Sequence, residues 1–295
     1  MSLPDGADPT GKTASAQVLL RGSGLEPREA RTLLAQVLGC TREYLLAHPD
    51  ASIQPQTAAR FHALADQRRG GVPMAYLVGL QEFYGHQLQV GPEVLIPRPE
   101  TELLVDTALS CLAGRSGARV LDLGTGSGAI AIALALARPD LFVVASDRSI
   151  PALRLAHANS ARLGAGVRFF AGDWLAPLAG RFTLIVSNPP YIRQGDPHLE
   201  ALRHEPYAAL SDAADGLRAL RTLTTQAPGF LEAGGHLLLE HGYDQGASTR
   251  QLMAQAGFTQ VQTLPDLAGR ERACLGMWGN VLAPGGASPE QRAAD

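Results

Sequence analysis

The chain has 295 residues, 45% of them hydrophobic and 18% charged, and a formal net charge of −3. That length leaves room for two domains with their own cores, and that balance excludes a disordered chain. A slightly acidic protein has no general electrostatic attraction for polyanions, so nucleic acid is not expected as its substrate.

In chain order, residues 1–12 are polar with Gly and Pro, unlike a secretory signal, and no apolar run reaches membrane-spanning length. The expectation is a cytoplasmic protein without a membrane partner, with loose tails over 1–13 and 283–295. From 14 to 82 the chain reads as a helical module, with no β-pattern between Ala14 and about Gly71. Ala30, Leu33, Leu34, Val37 and Leu38 recur on one apolar face. Pro55 to Arg69 reads as a further helix, stopped at Gly70-Gly71, with Arg68 and Arg69 at the negative end of its dipole. Strand-like runs flank Gly91-Pro92 and predict a hairpin linker over 83–100. It leads into Pro97-Arg98-Pro99-Glu100-Thr101-Glu102, where Glu100 or Thr101 starts the next helix.

Over 101–282, strands are predicted near 119–122, 141–146, 167–171, 183–187, 236–241, 259–264 and 272–278, alternating with helices. The segment Pro265 to Glu271 is too short for a crossover helix, so the last two strands pair as an antiparallel hairpin. The result is an α/β fold with seven strands, mostly parallel. Cys40, Cys111 and Cys274 are far apart and the eight histidines lack ligand spacing, so neither a disulfide framework nor a metal site is expected.

Two motifs fall at C-terminal strand ends, the ligand side of an open α/β sheet. The first is Asp122-Leu123-Gly124-Thr125-Gly126-Ser127-Gly128; the second, some sixty residues on, is Asn188-Pro189-Pro190-Tyr191 after Leu184-Ile185-Val186. Together they indicate methyl transfer to a planar nitrogen. Such a nitrogen has its lone pair delocalised, so it needs orientation more than a strong base. The Asn188 side-chain carbonyl and the Pro189 backbone carbonyl can accept both N–H bonds of an NH2 group. Proline has no N–H and a fixed φ, which suits a carbonyl aimed into a site. Tyr191 offers a flat face to a planar amide or base.

The glycine run also satisfies the dinucleotide pattern G-x-G-x-x-A through Ala129, with Asp147 at a suitable distance. Against that stand Gly128, which makes the run G-x-G-x-G, and Asp122, placed to bind the amino-acid end of S-adenosylmethionine; hydride transfer also leaves Asn188 to Tyr191 without a role. In either reading Asp147 accepts from ribose hydroxyls. Asp173 and Trp174 follow a third strand, where Asp173 can accept from an adenine amine and Trp174 can pack on the ring, a core tryptophan beside a turn aspartate being the plain alternative.

The chain resembles the release factor glutamine methyltransferase family (PrmC, also called HemK) over nearly all of the span between the tails. The matching stretches are Arg68-Arg69, Pro73-Met74-Ala75-Tyr76-Leu77-Val78-Gly79, Glu82-Phe83, Leu95-Ile96-Pro97-Arg98-Pro99-Glu100-Thr101-Glu102, Leu121 to Gly128, and Ser187 to Ile192. The Asn-Pro-Pro-Tyr motif is shared with adenine and guanine amino-methyltransferases. The segment Ile96 to Glu102 is more specific, and separates the chain from the sister ribosomal-protein enzymes (PrmB).

The resemblance implies a seven-stranded class I S-adenosylmethionine-dependent methyltransferase sheet with a small N-terminal helical domain. It also implies N(5)-methylation of the glutamine in the Gly-Gly-Gln loop of class 1 peptide chain release factors. Gly124 to Gly128, Asp147, Trp174 and Asn188 are then expected at the cofactor, and Asn188, Pro189, Pro190 and Tyr191 at the glutamine amide. The helical module is expected to recognise the release factor. Arg98, Glu100 and Glu102 either line the substrate entrance or form a salt-bridged link between the domains, the structural role being preferred, and Glu205-Pro206 either orders the loop over the amide or is plain loop. Ser211-Asp212-Ala213-Ala214 departs from the family, many relatives having glycines there, and leaves the loop shape open. The alternatives are a ribosomal-protein glutamine methyltransferase, a nucleic-acid amino-methyltransferase, and a cofactor-binding module that serves only in assembly.

Overall fold

Along the strand Arg119–Leu123, successive side chains enter two different cores, Val120 on one face and Leu121 and Leu123 on the other. Period-two alternation with both faces apolar marks a strand covered on both sides. The computed structural model describes residues 13–176 and 179–279. Except for Thr13, the tails expected over 1–13 and 283–295 lie outside the described residues.

The chain divides into two compact units, Met1–Gln81 with Val90–Pro92, and Glu82–Gln89 with Glu93–Asp295. In the first, β1 (Ala14–Ser15), α1 (Ala16–Gly22), α2 (Pro27–Leu38), α3 (Arg42–Ala47), β2 (Ser52–Ile53), α4 (Pro55–Arg69) and α5 (Met74–Val78) follow in order. Ala30, Leu33 and Leu34 of α2 pack with Leu45, Ile53 and Phe61. Burying this apolar stripe is what makes such short helices stable. Arg68 holds Glu29 through two bonds of 2.7 and 3.0 Å, and Arg69 bonds Asp66 and the Ser23 carbonyl, so both arginines have partners within their own unit. The absence of β-structure expected here is corrected by β1 and β2, which pair antiparallel. Two residues are too few to leave an alternation in the sequence.

The linking hairpin, β3 (Leu80–Phe83) and β4 (His86–Gln89), turns at Tyr84-Gly85 and not at Gly91-Pro92. Both turn residues have positive φ, +50° and +76°, as the two-residue turn whose twist matches a hairpin requires. A tyrosine at that position carries no turn signature, which is why the glycine-proline pair misled.

In the second unit a 3-10 turn (Pro99–Thr101) precedes α6 (Glu102–Cys111), β5 (Arg119–Leu123), α7 (Ala129–Ala137), β6 (Phe142–Asp147), α8 (Ile150–Leu163), β7 (Arg168–Ala171) and β8 (Phe182–Ser187). Then come α9 (His198–Ala201), α10 (Tyr207–Leu210), α11 (Arg218–Gln226), β9 (Leu231–Glu240), α12 (Gly246–Gln255), β10 (Thr259–Pro265) and β11 (Glu271–Met277). The seven strands lie in the order β10-β11-β9-β8-β5-β6-β7. β11 runs antiparallel to both neighbours, and β10 and β11 form the expected hairpin. β9 starts at Leu231, five residues earlier than expected, because a register shift opposite Phe182 and Leu184 lets Gly234-Gly235 sit inside the strand, where the pair otherwise reads as a break. From β5 the chain steps outward to β6 and β7, then returns to β8 on the other side of β5. The reversal between β5 and β8 is the crevice where open α/β sheets bind ligands. Among the described residues no helix is long and apolar enough to cross a membrane.

Candidate active site

Parallel pairing sets Leu123 opposite Ser187, so the chain leaves β5 at Gly124 and β8 at Asn188 side by side. There a cleft of about 640 Å³ opens, lined by Gly124, Thr125, Gly126, Ser127, Asp147, Asp173, Trp174, Asn188 and Pro190, among others. Its size is that of a small-molecule site.

The glycine turn is clipped to the end of β6: Thr125 N donates to the Ser146 carbonyl at 2.9 Å and Gly126 N to Asp147 Oδ2 at 3.0 Å. Asp147 Oδ1 accepts from Ser149 N at 2.9 Å. Gly126 has φ +55°, and a Cβ added there would meet no protein atom within 4 Å. Because Gly126 lines the cleft, that Cβ would project into ligand space. Trp174 lies half-buried, 3.6 Å from where a Gly124 Cβ would stand, and Asp173 is exposed beside it. A glycine cradle open to a ligand, a strand-end carboxylate and an indole face fit the nucleoside of S-adenosylmethionine.

Two residues expected at the cofactor do not line the cleft. Gly128 caps α7, where a Cβ would stand 2.8 Å from Ile132 Cδ1 and 3.3 Å from Ala156 Cβ, so its task is close packing behind the turn. Asp122 is 1% exposed. Its Oδ2 accepts from Thr125 Oγ1 at 2.6 Å and Ala131 N at 3.3 Å, and its Oδ1 has no partner among the described residues. Burial pushes its carboxyl up to about 7; the Thr125 and Ala131 bonds oppose the rise and the Asp147 charge adds to it.

In the second motif, Asn188 and Pro190 face the cleft, Pro189 is buried, and Tyr191 is not part of the lining. Tyr191 also has a polar anchor that the sequence did not indicate, since its hydroxyl donates to Glu240 Oε1 at 3.2 Å. Burial, then the Glu240 charge, raises the Tyr191 phenol well above its ordinary value. Asn188 Nδ2 donates to Thr101 Oγ1 at 3.2 Å, and Thr101 Oγ1 donates to Glu240 Oε2 at 2.8 Å. Burial pushes Glu240 up to about 7, while Thr101, Arg272 and Tyr191 pull it down and Glu100 raises it. Tyr191 is held from behind as well: Gln245 Nε2 donates to its carbonyl at 2.9 Å.

Arg98 pairs with Glu205, whose Oε2 also accepts from Ile96 N at 3.0 Å. Both partners belong to the second unit, so this pair ties the segment before the 3-10 turn to the segment after β8 rather than linking the domains, and Arg98 also lines the cleft. Beyond α10, Asp212 is 2% exposed and accepts from Ala214 N, Gly216 N and Arg218 N at 2.9, 3.0 and 2.7 Å. This carboxylate shapes the segment from Asp212 to Arg218, and both Ser211 and Asp212 line the cleft.

Sequence reasoning took Thr101 only as a helix start and did not assign Glu240 or Asp212. Glu240 had a usable signal, an acidic residue closing the apolar run Leu237-Leu238-Leu239. A carboxylate carried into a core by its strand requires partners.

Residues 100–266 match the model of the Methyltransferase small domain and residues 12–79 that of the PrmC N-terminal domain. A release factor glutamine methyltransferase of Bordetella pertussis is 52% identical over 86% of this chain and 96% of its own length. One of Burkholderia pseudomallei is 48% identical over 89% and 96%. Among solved structures, a methyltransferase from Pyrococcus furiosus has a TM-score of 0.53 at 18% identity, covering 72% of this chain and 99% of that one, a likeness of fold.

Proposed function

The chain belongs to the release factor glutamine methyltransferase family, and we propose on that premise that its cleft methylates the glutamine amide nitrogen (N5) of the Gly-Gly-Gln loop. The observation that carries this reading is the emergence of Gly124 and Asn188 side by side at the switch point of the sheet. A donor cradled by the first motif lies within reach of an amide held by the second.

Gly124 to Ser127 and Trp174 cradle the cofactor, and Asp147 accepts from its ribose. Asp122 and Gly128 shape the turn from behind. S-adenosylmethionine, when bound, supplies a methyl group on a cationic sulfur. Asn188 Oδ1 and the Pro189 carbonyl accept the two in-plane N–H bonds of the amide. This turns the face that carries the nitrogen's π-density toward the methyl carbon. Methylation would place positive charge on the amide nitrogen, and the two carbonyl oxygens would stabilise that charge until one N–H proton passes to solvent. No covalent enzyme intermediate is required. The helical unit docks the body of the release factor, and the protein works in the cytoplasm.

The test is transfer of labelled methyl from S-adenosylmethionine to purified release factor, beside a Gly-Gly-Gln to Gly-Gly-Ala variant and a pool of DNA and RNA. Label on the wild-type factor alone is the expected result. Label on nucleic acid overturns the substrate assignment, and label on the Gly-Gly-Ala variant overturns the target atom.

A further inference from the structure

The structure assigns to Thr101 the task of fixing which way the Asn188 amide faces, through a relay anchored on the buried Glu240. This inference rests on the methyl-transfer reading of the cleft.

A threonine hydroxyl has one proton and two lone pairs, and an ionised carboxylate only accepts. With Glu240 ionised, the state that the bonds from Thr101 and Tyr191 and the Arg272 charge favour, Thr101 Oγ1 gives its proton to Glu240 Oε2 at 2.8 Å and toward Asn188, 3.2 Å away, it can only accept. The Asn188 group that meets it must therefore be the NH2, which leaves Oδ1 directed at the cleft. Without the relay the two ends of the amide are nearly equal in shape, and the flipped rotamer presents donors to a substrate amide that is itself a donor. Two contacts keep the anchor in place. Tyr191 donates to the other Glu240 oxygen at 3.2 Å, and Thr101 is fixed by its own backbone N–H, which donates to the Arg98 carbonyl at 3.1 Å. Thr101 is 4% exposed and Glu240 1%, so water does not compete for these bonds. Thr101 is a positioning residue, acting through Asn188.

The experiment measures kcat and KM for methyl transfer to release factor, with the cofactor Kd measured separately, in Thr101→Val, Thr101→Ser, Asn188→Ala and the Thr101→Val/Asn188→Ala double variant. Thr101→Val is expected to lower kcat about 10- to 100-fold, the scale of a misaligned reacting group. KM and cofactor Kd should stay within about threefold, and Thr101→Ser should restore turnover. The double variant should be no worse than Asn188→Ala alone, because residues that act as a unit are non-additive. Undiminished kcat in Thr101→Val, failure of Thr101→Ser to restore it, or losses that multiply in the double variant overturn the relay. Undiminished turnover in Asn188→Ala overturns the reading of the cleft and the relay with it. If Thr101→Val lowers the melting temperature sharply, Thr101→Ala takes its place under the same criteria.

Discussion

Ser187 donates its hydroxyl to the Leu123 carbonyl at 2.6 Å, across two parallel strands that place these residues in register. The bond joins the last residues of β5 and β8, immediately before Gly124 and Asn188. The two motifs are thus held at a common height by a contact between the strand ends that carry them, and their separation is a property of the sheet rather than of mobile loops.

Asn188→Ala removes the side-chain acceptor for the substrate amide while leaving the glycine cradle intact. Turnover should fall about 100-fold or more, the scale of losing one preorganised polar partner of the reacting group. Cofactor Kd should change far less. Single-turnover methyl transfer and calorimetric cofactor binding check the two halves, and equal losses in both would assign Asn188 to cofactor binding alone.

Gly216 packs against the backbone of the second motif at φ +83°, where a Cβ would stand 2.6 Å from the Tyr191 carbonyl and 2.9 Å from Gln245 Nε2. Gly216→Ala should cost about 2–4 kcal/mol through backbone strain and overpacking. It should also lower kcat by shifting Tyr191. Urea unfolding read beside activity tests this; an unchanged midpoint would contradict the packing described.

Ala213 holds φ +54° in the loop that carries Asp212. Ala213→Gly should stabilise the protein by about 1 kcal/mol, since relief of the left-handed strain outweighs the entropy glycine adds to the unfolded chain. A fall in the unfolding midpoint would count against it.

Asp122 has a folded pKa raised by burial to about 7 from an ordinary value near 4. A carboxyl raised on folding contributes stability that is whole below its unfolded pKa and is lost as pH rises through its folded one. Stability should therefore fall between about pH 4 and pH 7 on account of this group. Asp122→Asn should remove that part of the slope, gaining up to about 4 kcal/mol on the wild type across the window. Unfolding free energies of the two proteins at pH 5 and pH 8 decide it: a constant difference between them would mean that Asp122 does not titrate in the folded state.

Most helices and strands were legible because their signals are local. An apolar stripe in α2, the all-apolar Ala129–Ala137 and the buried run of β8 each declare their period within a few residues. Glycine before a helix and proline after a strand likewise mark where both motifs end up, at the C-terminal edge of the sheet. The turn at Tyr84-Gly85 was not legible, because tyrosine adopts positive φ only when the surrounding pairing compels it.

By itself the sequence determined the alternation of helix and strand, the two motifs and the chemistry their atoms can perform, since all of these depend on near neighbours and intrinsic side-chain properties. Only the tertiary structure decided that Tyr191 meets Glu240, that Arg98 holds Glu205 within the second unit, and that Thr101 meets Asn188 and Glu240. Those partners lie 49, 107, 87 and 139 residues apart along the chain. Neither periodicity nor propensity reaches that far; strand order and the need of buried polar groups for partners select which side chains must meet.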